Sequence, residues 1–151
     1  MSLDYILNKL SLRQREELYE KLNSFYLELS EDFKTIPQPC TQCGACCDFV
    51  KFGHKLYISS LEFAYVYQNH KLEIRDNPNA CPYMVDNSCH ARNHRMLGCR
   101  TFFRLHEKKD EEKANELYEI YLQKLKNIYS QGNLPWEYKD FMVYVAETLK
   151  T

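Results

Sequence analysis

The sequence predicts a mainly α fold, with helical arms around an irregular cysteine-rich metal-binding centre and a small β-hairpin. Three observations predict it. Apolar residues recur at helical spacing in the first third of the chain and again in the last third. All seven cysteines and all five histidines (His54, His70, His90, His94, His106) lie between residues 40 and 106. Within that middle, CPYMVDNSCHA from Cys81 reads as two short strands about a turn at Asp86-Asn87-Ser88.

The 151 residues are enough to bury a real core, and no linker, repeat or low-complexity segment divides them, so the expectation is one domain over 1–151. It divides into a helical arm over 1–39, a cysteine-cluster region over 40–106 and C-terminal helices over 110–151. A formal charge of -1, with Lys and Arg interspersed among Asp and Glu, gives no electrostatic footprint for nucleic acid. The apolar positions of MSLDYILNKL are spaced rather than continuous, and Asp4 stands where a secretory peptide is basic. The longest uncharged apolar run, FMVYVA, is far too short to span a bilayer. The expectation is a soluble cytoplasmic chain with no membrane and no nucleic-acid partner.

In the first arm, a short helical piece over Leu3, Ile6, Leu7 and Leu10 precedes Ser11, which with Gln14 forms a capping box that reopens the helix. Leu18, Leu22, Phe25 and Leu29 then mark the core face, flanked by Tyr19 and Tyr26, and the helix ends before Pro37 and Pro39. After the cysteine loop, KLYIS at 55–59 reads as a short extended piece. Ser59 with Glu62 offers a second capping box for a helix through Leu61, Ala64, Tyr65 and Gln68. Asp110 and Glu111 open the next helix, whose face carries Leu117, Tyr118, Tyr121, Leu122, Leu125, Ile128 and Tyr129 and which closes at Gly132. Pro135 suits the first turn of a final helix carrying Trp136, Phe141, Val145 and Leu149. Tyrosines at this spacing read as core residues whose hydroxyls reach the rim, not as a functional surface.

The chemistry lies in CTQCGACC, residues 40–47. Cys40, Cys43 and Cys46 form CxxCxxC, whose spacing lets successive sulfurs converge on one point around a turn, with Gly44 giving the backbone freedom to do so. Cys47 projects away from Cys46, so one shared metal face does not serve both. With Cys81, Cys89 and Cys99, the seven thiols exceed what one four-coordinate ion uses, which points to one or two centres. A chain with no export signal and an odd number of cysteines is not a disulfide framework. Zinc and an iron-sulfur cluster both suit thiolates. The Cys81-Pro82 step echoes the ferredoxin run, but spacing does not choose between them. Residues 40–106 hold eight Lys or Arg against five Asp or Glu, a positive balance suited to an anionic thiolate centre. Arg92, Arg95, Arg100 and Arg104 are the candidate donors to sulfur or to flanking carbonyls.

CTQCGACC, KLYISSLEF, ACPYMVDNSC and GCRTFFR together resemble the YkgJ-type cysteine-cluster family, a zinc- or iron-chelating domain; the resemblance covers about residues 40–104. It implies metal chelation. Members of that family are described with eight cysteines and an Arg-Pro step, whereas this chain has seven and carries Arg95-Met96 there, which makes His90 or His94 a candidate substitute ligand. The resemblance also associates such domains with protein methylation, without supplying a catalytic residue.

The functional expectation is therefore a metal-ion or iron-sulfur protein with a Cys-ligated centre serving structure, electron transfer or metal handling. Its partner is the metal ion, with a protein partner as a further option. The competing reading is a thiol redox or protein-methylation accessory enzyme using an open metal position or an unligated cysteine. With 4 glycines in the chain, phosphate-cradling and dinucleotide fingerprints are missing, so the balance falls on the non-enzymatic side.

Overall fold

A computed structural model describes residues 2–36, 55–72, 80–85, 88–101 and 108–149, with Ser2, Ser88, Arg92 and Lys108 described by their backbone. Cys40, Cys43, Cys46 and Cys47, the Pro37 to Pro39 lead-in, the Asp86-Asn87 turn, His54, Arg104 and His106 lie outside the described residues.

The chain is mainly helical, as expected. Helix α1 (Ser2–Asp4) continues into a π turn over Tyr5–Lys9, closed by Leu10 N–H on the Tyr5 carbonyl at 3.0 Å. Helix α2 (Leu12–Phe33) restarts at Ser11 through the full capping box: Gln14 N–H donates to the Ser11 hydroxyl, and Ser11 N–H donates to the Gln14 side chain. Leu18, Tyr19, Leu22, Phe25, Tyr26 and Leu29 are its buried residues, the set that periodicity predicts.

The next described segment opens as strand β1 (Tyr57–Ser59) and turns directly into α3 (Ser60–Asn69). After it come the hairpin strands β2 (Met84–Val85) and β3 (Ser88–Cys89), a 3-10 turn over Arg92–His94, and the short helix α4 (Leu97–Thr101). Helix α5 (Lys108–Gln131) packs along α2, where the Phe25 and Tyr121 rings meet edge to face at 5.6 Å and the Tyr121 hydroxyl donates to Asp32. The two expected helical arms therefore pack on each other.

Helix α5 ends at Gln131, directly before Gly132 as expected, and the left-handed residue of the stop is Asn133, at φ 53°. Asn133 N–H bonds the Ser130 carbonyl at 3.2 Å and Leu134 N–H bonds the Tyr129 carbonyl at 2.9 Å, the paired bonds of a Schellman stop. Asparagine tolerates this conformation better than other non-glycine residues, because its short polar side chain bonds locally. Gly132 serves closeness instead, since a Cβ there would lie 3.0 Å from a methyl of Leu18 on α2. Pro135 does not open a helix. The chain runs extended into strand β4 (Tyr138–Asp140), and helix α6 (Phe141–Leu149) begins only after it, with Asp140 capping the Met142 N–H at 3.0 Å.

Strand β4 pairs antiparallel with β1, Tyr57 opposite Asp140 and Ser59 opposite Tyr138, and Phe141 N–H closes the ladder on the Leu56 carbonyl at 2.8 Å. The extended piece expected at 55–59 is therefore β1, but its partner was missed, because a three-residue strand such as β4 carries too little alternation to register. It fixes α6 against α3, where Phe63 stacks on Tyr144 at 5.1 Å and meets Phe141 at 5.9 Å. One hydrophobic cluster joins the helices and β1, from Leu3 to Val145.

The tyrosine stripe is core, with the Tyr121 hydroxyl reaching the exposed Asp32 at the rim as expected, but the Tyr129 hydroxyl acts inside. Tyr129, 1% exposed, accepts Leu61 N–H at 2.6 Å and shares a hydrogen bond of 2.7 Å with the Ser60 hydroxyl, satisfying an amide at the start of α3. Burial pushes its phenol up to about 12. Tyr129→Phe is expected to cost about 1–3 kcal/mol by leaving that amide buried without a partner, read as a lower urea midpoint at unchanged slope.

Candidate functional site

The described part of the ligand-rich middle is organised around one carboxylate. Glu62, at the third position of α3, is fully buried at 0% exposure. Its Oε1 accepts Ser59 N–H at 3.2 Å and the Ser59 hydroxyl at 3.0 Å, the expected capping box. Its Oε2 does more, accepting the Tyr26 hydroxyl from α2 at 2.8 Å and Leu97 N–H, the first amide of α4, at 2.6 Å. Helix α4 is preceded by Met96, which has no oxygen on its side chain with which to cap it, so a carboxylate from another helix satisfies that terminus. Desolvation nevertheless outweighs the four donors and raises the Glu62 carboxyl above its ordinary range.

Helix α4 carries Cys99, half-buried, and Arg100. The Arg100 guanidinium lies 4.1 Å above the centre of the Tyr26 ring, and its Nε and Nη2 donate to the Arg95 and Asn93 carbonyls at 2.6 and 3.2 Å. Two of the arginines singled out from the sequence are thus tied together: Arg95 supplies a carbonyl, and Arg100 spans from it to the aromatic face. Gly98 lets this helix lie against β1, since a Cβ there would sit 2.5 Å from Leu56 Cδ1. Arg92 is placed by its backbone in the 3-10 turn.

The hairpin holds the other two described thiols. Met84 lies opposite Cys89 across the ladder and donates its N–H to the Cys81 carbonyl at 3.0 Å, so Cys81 and Cys89 share one end of the hairpin. Cys81 is buried and Cys89 half-buried. Beside Cys81, the Tyr83 hydroxyl donates to the His70 carbonyl at 3.3 Å; burial first, then the neighbouring Cys81 and Tyr67, push that phenol well above its ordinary value.

The two candidate histidines part company. His90 is exposed, and its N–H closes the hairpin on the Tyr83 carbonyl at 2.8 Å. His94 is half-buried at the end of the 3-10 turn, with Nδ1 2.7 Å from Nε2 of His70, the residue that caps α3. Desolvation, then His70 and Arg100, lower the His94 pKa, which keeps its imidazole neutral near pH 7.

Of the residues singled out from the sequence, the structure places Cys81 and Cys89 on the hairpin and Cys99 and Arg100 on α4, with Arg95 just before it; sequence reasoning missed the reach of Glu62 and the pairing of His70 with His94. The signal for Glu62 was present and absorbed by its local role, since a capping glutamate ordinarily faces water. Among the described residues, no group of three or more His, Cys, Asp or Glu side chains is placed to hold a metal ion, and the CxxCxxCC run lies outside them. No helix among the described residues is long and apolar enough to cross a membrane. Compared with known proteins, the chain matches no family model, no curated protein and no solved structure.

Proposed function

We propose that the chain binds a metal ion or an iron-sulfur cluster through Cys40, Cys43, Cys46 and Cys47 together with thiols from Cys81, Cys89 and Cys99. In this reading it is a YkgJ-type protein, non-catalytic on its own. The observation that carries the reading is CTQCGACC itself, because four thiols in eight residues have no use in a hydrophobic core and match soft-metal ligation. The donor set is all sulfur, which suits zinc or iron and disfavours hard oxygen-seeking cations. Support also comes from the surroundings of the remaining thiols. Cys81 and Cys89 share one end of a hairpin, and Cys99 lies on a helix whose half-buried Arg100 carries a positive charge. A thiolate centre needs such a cation beside it.

When bound, zinc would supply folding energy and an iron-sulfur cluster would in addition carry an electron. The chain's own residues would hold and neutralise the centre: the thiols as ligands, Arg95 and Arg100 as the positive wall on the α4 side. Anaerobic purification followed by an ultraviolet-visible spectrum, metal analysis and acid-labile sulfide decides between the two. Iron with sulfide and broad visible absorption selects the cluster; stoichiometric zinc and no colour selects the ion. Protein that remains metal-free after reconstitution with both rejects the proposal.

A further inference from the structure

We propose that the His70–His94 pair is a metal site in its own right, which takes up a borderline divalent ion of the zinc, nickel or copper kind through two imidazole nitrogens and no thiol. The two rings come from different elements, the C-terminal cap of α3 and the 3-10 turn before α4, and their facing nitrogens stand 2.7 Å apart. An ion bound at about 2.0–2.1 Å from each nitrogen, at a tetrahedral angle, needs them about 3.4 Å apart, a parting of well under 1 Å that two side-chain rotations supply. Imidazole is the ligand these ions prefer among neutral side chains.

The rings are already aimed. His94 meets Tyr65 at 5.1 Å and 69°, and His70 meets Tyr83 at 6.0 Å and 65°, so each packs against an aromatic neighbour from outside the pair. The Tyr83 hydroxyl on the His70 carbonyl holds the backbone of the first ligand in place. Such flanking contacts orient metal-bound histidines and preserve their reach. Both residues are only half-buried, which leaves the ion a path from solvent.

Proton balance is simple. In the paired state one ring donates N–H to the other across the 2.7 Å gap. On binding, that ring moves its proton to its outer nitrogen, and both facing nitrogens then give lone pairs to the ion, each neutral ring keeping its one proton. The Arg100 guanidinium opposes a second cation nearby, so the site is exchangeable and not a fold-maintaining one. Two imidazoles also leave the remaining coordination positions to water or to an incoming ligand, as an open site does.

The test follows the imidazole nitrogens of the full-length chain, labelled with ¹⁵N at histidine, during titration with Zn²⁺. Binding is expected to shift His70 Nε2 and His94 Nδ1 together and to saturation, and His94→Gln is expected to weaken the shift at His70 by about tenfold or more. Because the readout sits on these rings, it stands whether or not the thiols bind metal; loss of the cysteine centre and loss of this site are separate results. Rings unmoved by excess Zn²⁺, or a His70 shift unaltered in His94→Gln, overturn the proposal. If His94→Gln does not fold by circular dichroism, His70→Gln followed at His94 Nδ1 replaces it, with a weakened shift supporting the site and an unaltered one overturning it.

Discussion

Replacing Glu62 with alanine is expected to destabilise the fold by about 3–5 kcal/mol, enough to unfold a marginal domain at 37 °C. The carboxylate receives the Tyr26 hydroxyl, Leu97 N–H, Ser59 N–H and the Ser59 hydroxyl in a site with no solvent access, and alanine orphans all of them while opening a void. Equilibrium urea unfolding measures the loss, and hydrogen exchange localises it to the start of α4. Glu62→Gln keeps one accepting oxygen but sets an amide N–H₂ against the donors of the other, and is expected to cost less, about 1–3 kcal/mol.

The same group makes stability depend on pH. Burial raises the folded-state carboxyl above its ordinary 4.5, so between these two values the folded chain binds the proton more tightly than the unfolded chain does. Its contribution is therefore complete below pH 4.5 and is lost as pH rises through the raised folded value. Glu62→Gln removes the titration and should flatten that part of the profile, measured by melts at a series of pH values. A slope identical in both proteins would mean that burial does not raise the Glu62 carboxyl.

Cys43→Ser has the larger expected effect. If the thiols hold zinc, metal binding supplies on the order of 10 kcal/mol of folding energy at neutral pH, and removing the central sulfur of CxxCxxC takes away most of it. Metal content after gel filtration and thermal unfolding should fall together. A Cys43→Ser chain with full metal and native stability counts against the cysteine centre, whereas Leu27→Ala, on the exposed face of α2, should leave both measurements unchanged.

Much of this architecture is encoded locally. Ser11 with Gln14 and Ser59 with Glu62 start their helices as expected, because a cap acts over three residues and needs no tertiary knowledge. The core face of α2 is legible for a similar reason, since a helix of 22 residues repeats its pattern many times. What is illegible is what distant segments do to each other. Trp136 has helical spacing, yet it stacks on Tyr138 at 5.5 Å ahead of a strand whose existence depends on Tyr57 to Ser59, residues nothing in its own neighbourhood announces. Met96-Leu97 shows no start signal, because the cap of α4 comes from Glu62. His70 and His94 each read as lone histidines, and only the folding of α3 against the 3-10 turn makes them a pair. Of the cysteine readings, the hairpin signal brings Cys81 to the same end as Cys89.

The pairing of β1 with β4 has a consequence for synthesis. Ile58 and Ser59 wait for Lys139 and Tyr138, which leave the ribosome only after the whole of α5 has been made, and Phe63 has no ring to stack on from α6 until Phe141 and Tyr144 follow. A nascent chain can therefore wind its helices early but cannot seal its apolar interior until β4 and α6 have been made. During that interval its exposed strand edge and aromatic surface are the features a chaperone would meet.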